Sequence, residues 1–304
     1  MADLALLVLT LFWGTTFTFV KDVLEFASPG VFLSARFATA VLVLGAVALW
    51  RRDRLGPGFL RHGLLLGLFL LLTFGFQTVG LRYTTPSRSG FLTGMSVLLV
   101  PFVARYWLGR KVHAAAWAGV ALAVGGLAAL TRPFGGAVTP EIRLGDALTV
   151  GCALACALQI ALMSEWAPRH PVVPFTVLQL GVTLVGALGL AAVETRHLDL
   201  ARGGPTFAAT VAFTGVVMTA GAFFIQNWAQ ARTTAVRAAL IFALEPVTAA
   251  LFSHFYGGEP LAGLDWLGGG LIVLGVLVGE VGGAVEARRA RAGASAPPPP
   301  HALA

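Results

Sequence analysis

The sequence predicts an all-α integral membrane protein, with ten transmembrane helices forming two inverted five-helix repeats around a central cavity. Three observations predict it. Of 304 residues, 57% are hydrophobic and 12% charged, whereas soluble domains carry about 25% charged residues and alternate apolar with polar positions. The apolar runs last about twenty residues, the length that crosses a hydrocarbon layer of about 30 Å as a helix. Scarce residue types also recur at one fixed spacing in the two halves of the chain.

The first span, 4–21, opens "MADLALLVLTLFWGTTF". It has no basic n-region and no small-residue cleavage site, so it reads as a retained helix rather than a signal peptide. Span 31–50 follows "ASPG", 63–81 follows "RRDRLGPGFLRH", 89–108 follows "RYTTPSR" and 114–131 follows "LGRKVH". In the second half, 146–165 follows "TRPFGGAVTPEIR", 173–193 follows "WAPRHPVVP", and 208–228 follows "ETRHLDLARGGP". The last two, 235–256 and 264–283, follow "ARTTAVR" and "YGGEPLAG". Each break is marked by Gly, Pro or charge, the usual punctuation of turns. Residues 1–135 and 142–284 are the two expected repeats. Residues 285–304, basic and then Pro/Ala-rich, are expected to be a disordered cytoplasmic tail.

Basic residues set the expected orientation. With the N-terminus inside, the inner loops and tail hold ten: Arg51, Arg52, Arg54, Arg61, Arg110, Lys111, Arg169, Arg288, Arg289 and Arg291. The outer loops hold five: Lys21, Arg132, Arg143, Arg196 and Arg202, with Arg82, Arg88, Arg105, Arg232 and Arg237 left unassigned at span borders and Arg36 inside a span. That excess places both termini in the cytoplasm and the protein in the cytoplasmic (inner) membrane. The net charge of +7 is thereby explained by loops, without a nucleic-acid partner.

The halves match at an offset of 226 − 77 = 149, which pairs Gln77 with Gln226. The same offset pairs Thr84 with Thr233, Thr85 with Thr234, Arg88 with Arg237, and Gly109 with Gly258. It also pairs Trp117 with Trp266, Gly119 with Gly268, and Gly126 with Gly275. The Gln, Arg and Trp matches argue for duplication. Five spans is an odd number, so the second copy enters the membrane upside down, with a site expected between repeats near the midplane.

Polar groups inside spans are the candidate site residues, because an unsatisfied one costs several kcal/mol in lipid. Glu245 stands at mid-span, where a charge costs about 2.5–3.5 kcal/mol or more. The next residue, Pro246, frees a backbone carbonyl. Both are tolerable if Glu245 lines a wetted pathway, and Glu245 is the candidate for proton coupling; a protonated or arginine-paired packing residue is the alternative. Arg36 could hold an anionic substrate group, pair with an acid, or snorkel outward. Gln77, Gln159, Gln226 and Asn227 offer hydrogen bonds to a solute or only to neighbouring helices. Trp13, Phe17, Phe76, Phe223, Trp228 and Phe242 could wall a ligand or simply pack, and Gly14 and Thr15 sit beside Trp13.

Some chemistries lack their residues. No P-loop occurs, so no ATPase partner is implied. No HExxH and no hydrolytic Ser/His/Asp set is present, and no cofactor, metal site or enzymatic role is expected. Cys152 and Cys156 read as small packing residues. The Gly-rich fifth and tenth spans, "GVALAVGG" and "GGGLIVLGVLVG", read as packing elements or a homodimer face.

Several stretches resemble one family. "FWGTTF", "SARF", "YTTPSRSGFLTGMSVLLVP" and, most specifically, "TTAVRAALIFALEPVTAALFSHFYGGEPL" are similar to the drug/metabolite transporter superfamily, ten-helix members with two EamA-type domains. In the first half, "LGRK" has Arg110 where that family usually has Glu. The resemblance spans about residues 3–284. It implies secondary transport of a small organic solute by alternating access, often export of amino acids, other metabolites or drugs. It places Trp13, Gly14, Thr15, Arg36, Gln77, Gln226 and Glu245 in or near family motifs. A receptor or scaffold, or a lipid-active membrane enzyme in the same bundle, is the alternative.

Overall fold

The computed structural model describes the backbone of residues 1–84, 86–132, 139–194, 199–257 and 260–294. It describes their side chains except at 15–19, 21–22, 86–87, 200–202, 253, 256–257 and 286–294. The first half comprises α1 (Ala2–Val23), α2 (Pro29–Arg51), α3 (Phe59–Gly80), α4 (Pro86–Gly94, Ser96–Phe102 and a π-helical turn Val103–Trp107) and α5 (Ala114–Thr131). In the second half come α6 (Pro140–Trp166) and α7 (Val172–Val193), and then α8 (Leu200–Gly215, a π-helical turn Val216–Gly221, and Ala222–Gln230). The last two are α9 (Ala235–Phe242 and Glu245–Gly257) and α10 (Gly263–Ala294).

Nine stretches among the described residues are long and apolar enough to cross a membrane, and α1 adds a further helix of 22 residues. The protein is therefore a multi-pass membrane protein. Its outer surface agrees, because Leu42, Leu49, Val185 and Leu277 are all exposed. In water such a surface would be a large apolar patch; in lipid it costs nothing.

Local chemistry sets the ends. Pro29 and Pro140 occupy first-turn positions where a missing N–H is no loss. Thr139 and Thr234 cap α6 and α9 by accepting from the backbone N–H of Ile142 and Arg237, each at 3.3 Å. Gly109, at φ +64°, allows the turn between α4 and α5. The tail differs from expectation, since α10 continues as helix to Ala294. Its run of Ala and Arg favours helix, and residues 295–304 lie outside the described residues.

Packing fixes which residues share an end. Antiparallel α3 and α6 bring Gly80 to Gly145 at one end and His62 to Trp166 at the other. Parallel α1 and α9 bring Asp3 to Arg237 and Gly14 to Thr248. Leu6 and Leu9 of α1 share a core with Ile160 and Ala161 of α6, so Asp3 lies at the His62–Trp166 end. We call this the N-terminal end; Thr84 and Asp146 mark the opposite one.

The Gly-rich faces of α5 and α10 pack against each other within the chain. A Cβ on Gly275 would lie 2.5 Å from the Gly119 carbonyl oxygen, and one on Gly268 2.6 Å from that of Gly126. These glycines therefore let two backbones approach inside one molecule, as the reading of the two spans as packing elements expects. The contacts are also reciprocal: each glycine meets the offset partner of the other.

Candidate functional site

Two helices are interrupted at matching positions. α4 breaks at Met95 and restarts at Ser96, while α9 breaks at Ala243–Leu244 and restarts at Glu245. The restarts differ by 245 − 96 = 149, the spacing of the repeat. At the second break Pro246 has no N–H for the carbonyl of Phe242, so that acceptor is freed. The restarted part of α4 packs against the first part of α9, which brings the two breaks to one region. Interrupted helices in corresponding positions of two halves are where transporter folds build their solute sites.

α1 closes on this region through Gly14. A Cβ there would stand 2.7 Å from Thr248 Cβ and 2.8 Å from both Ala249 N and Glu245 O. The glycine thus serves close helix approach, and it sets Trp13 beside the break. Glu245 is half-buried, facing the Cys152–Cys156 stretch of α6. Among the described residues its carboxylate has neither an ion pair nor a hydrogen bond.

From Trp13 runs a line of aromatic rings. Its ring centroid lies 5.6 Å from Phe242 and 5.8 Å from Phe223. Phe223 lies 6.0 Å from Phe74, which carries the Arg36 guanidinium 5.1 Å above its ring. Arg36 is 5% exposed. Its Nε donates to Thr219 Oγ1 at 2.6 Å and its Nη2 to the Met218 carbonyl at 3.4 Å. The same carbonyl accepts from Trp13 Nε1 at 3.3 Å. Met218 and Thr219 belong to the π-helical turn of α8, where widened bonding leaves a carbonyl free to accept from side chains. Among the described residues no carboxylate pairs with Arg36, and there it is a buried cation held by dipoles and a ring face rather than one reaching outward.

The amides form two buried sets on α8. Gln226 Nε2 donates to Gln159 Oε1 at 3.3 Å and to Gln230 Oε1 at 2.8 Å, and Gln230 reaches Ser164 Oγ at 3.0 Å. One helical face away, Asn227 Oδ1 accepts from Gln179 Nε2 at 3.1 Å. Gln159 Nε2, Gln226 Oε1 and Gln179 Oε1 are left without partners among the described residues. These are spare valences that a water or polar solute could fill.

Of the other candidates, Gln77 is half-buried and donates to Thr93 Oγ1 at 3.4 Å, two residues before the α4 break, so it stands near the breaks; no hydrogen bond to Gln226 is present among the described residues. Trp228 carries Arg232 at 4.7 Å near the N-terminal end. Phe76 lies against Gly151 of α6, and Phe74 takes the wall position instead. The side chains of Thr15 and Phe17 lie outside the described residues. Phe74, Met218 and Thr219 escaped sequence reading: Phe74 is one of many aromatics, and nothing in "VVMTAG" marks a π-helical turn.

A second cluster lies at the N-terminal end. His62 Nδ1 and His170 Nε2 are 2.9 Å apart, with Trp166 stacked on His62 at 4.4 Å. Burial, with His62 and the Arg169 charge nearby, pushes the His170 pKa below the ordinary histidine value.

A model described as the EamA-like transporter family matches residues 1–132 and 143–279. The chain belongs to the EamA-like transporter family. Among its relatives, an uncharacterized transporter of Archaeoglobus fulgidus is 31% identical over 91% of this chain and 85% of its own length. The uncharacterized inner membrane transporter YedA of Escherichia coli is 25% identical, covering 91% of this chain and 90% of its own length. The uncharacterized transporter YvbV of Bacillus subtilis is 25% identical over 89% and 88%. A crystal structure of 21% identity superposes with a TM-score of 0.74 over 92% of this chain and 97% of its own. That likeness is one of fold. The EamA-like matches fall on both halves of the chain, one on either side of the loop between α5 and α6.

Proposed function

We propose that the protein is a secondary transporter that moves a small organic solute across the cytoplasmic membrane by alternating access, in the direction of export. The observation that carries this reading is the pair of helix breaks, with restarts at 96 and 245. They bring an unpaired carboxylate into the region that also holds the aromatic line to Arg36. In lipid such groups are tolerated only where water or a polar solute meets them. Trp13, Phe223 and Phe242 form the apolar wall, Arg36 and Glu245 supply charge, and the free amide valences of Gln159 and Gln226 supply polar contacts.

The membrane assignment is supported by YedA, named as an inner membrane transporter, and the basic-residue excess supports both termini in the cytoplasm. Two inverted repeats are supported by the reciprocal glycine contacts and the matched breaks. Coupling to protons needs a group whose protonation differs between access states, and Glu245 is that group.

A thermal-shift screen of the purified protein against amino acids, nucleosides and drugs identifies ligands. Counterflow in proteoliposomes then reads turnover. Flux without chemical change supports transport; an altered solute means an enzyme, and binding without flux a receptor. The variant Glu245→Gln is expected to lose the dependence of flux on the pH gradient while retaining exchange. Unchanged gradient dependence removes Glu245 from coupling.

A further inference from the structure

The two ends of the bundle are fastened by the same set of residues. At the end opposite the N-terminus, Thr84 Oγ1 donates to Asp146 Oδ1 at 2.7 Å. There Arg88 Nε donates to the two Asp146 oxygens at 3.2 and 3.1 Å, and Arg88 Nη2 bonds Oδ2 as well. At the N-terminal end, Thr233 Oγ1 donates to Asp3 Oδ1 at 2.9 Å, and Arg237 Nη2 lies 3.0 Å from Asp3 Oδ2. The threonines differ by 233 − 84 = 149 and the arginines by 237 − 88 = 149. The aspartates lie in the first two turns of the leading helix of their half, in "ADLAL" and "GDALT", at a spacing of 146 − 3 = 143.

Each fastening joins the halves, α6 to α4 at one end and α1 to α9 at the other. Exchanging the halves converts one set into the other and carries it to the opposite end. Duplication carries the same set of residues to both ends, which gives a pathway opened at either end by the same movement an equivalent fastening at each. The pairs also stay partly wetted, with side-chain exposures of 15% and 18% for Arg88 and Asp146, and 42% and 38% for Arg237 and Asp3. Water that reaches the pairs can hydrate both charges once they separate, so parting them costs less than in a sealed interior. Arg237 Nε is also 2.9 Å from each oxygen of Glu280 on α10. That carboxylate keeps the arginine paired when α1 moves away.

We propose that these are two alternating latches. Asp146 with Thr84 and Arg88 shuts the pathway at one end, and Asp3 with Thr233 and Arg237 shuts it at the N-terminal end. With both made, as here, the pathway is closed at both ends. The proposal rests on the alternating-access reading above.

The test places a reporter, Glu245→Cys, in a background carrying Cys152→Ala and Cys156→Ala. A membrane-impermeant maleimide is applied from either side of oriented vesicles. Asp146→Asn is expected to raise labelling several-fold from the side opposite the N-terminus, and Asp3→Asn from the N-terminal side. The exchange Arg88→Asp/Asp146→Arg is expected to return labelling towards the parent, separating a lost pair from a misfolded chain. Labelling that is unshifted in both variants, or raised equally from both sides, overturns the latches while leaving transport intact. A reporter that reacts from neither side in any variant overturns the pathway and the latches together.

Discussion

Gly14 shows how one residue can position a site without touching a solute. The space its missing side chain leaves is filled by Thr248, Ala249 and the Glu245 carbonyl. Gly14→Ala is therefore expected to force α1 from α9 and destabilise the protein by about 1–3 kcal/mol, the usual cost of overpacking. The check is a thermal melt in detergent, with Gly90→Ala as control, since nothing lies within 4 Å of a Cβ there. Equal melting of the two variants contradicts the close approach. Glu245 was legible in the sequence because a carboxylate and a proline in an apolar run are both costly there. The setting of Arg36 was not, since its partners Thr219 and Met218 stand 183 and 182 residues away and only the fold brings them near.

Among the elements, apolar length located the nine membrane-length stretches of the described residues and the helix α1 before them, and Gly, Pro and charge located their breaks. The starts of α6 and α8 were misjudged, because Pro140 and Leu200 begin helices in stretches that read as polar loops. There the Thr139 cap of α6 and the packing of Gly145 on Thr84 and Gly203 on Phe26 extend the helices beyond their apolar runs. The break in α4 was equally hidden, since Gly94–Met95 carries no proline and resembles any small-residue patch. The junction of α6 and α7 carries its own test in His62 and His170. Burial and the nearby Arg169 hold the His170 pKa below the ordinary value of about 6.5. Its neutral form is thus favoured in the folded protein. The stability this neutral state contributes is present above the unfolded value and is lost as pH falls below it. The melting temperature is expected to fall between pH 7.5 and 5.5, and to fall less in His170→Asn. An identical slope in the variant contradicts the assignment.

Over the whole molecule, the sequence offset of 149 recurs in the glycine contacts of α5 and α10, the helix restarts at 96 and 245, and the Thr/Arg sets at the two ends. Duplication was legible from a few scarce residues, but not which helices of one half meet which of the other, because those pairings are long-range. The account's central claim is that water reaches the middle of this bundle at Glu245. The most direct measurement places a thiol there, Glu245→Cys, in the cysteine-free background, and reads labelling by a membrane-impermeant maleimide and by a lipid-soluble one. Labelling by the impermeant reagent from at least one side is expected, slowed by any ligand found in the thermal screen. Labelling by the lipid-soluble reagent alone would contradict the claim, leaving position 245 a packing site.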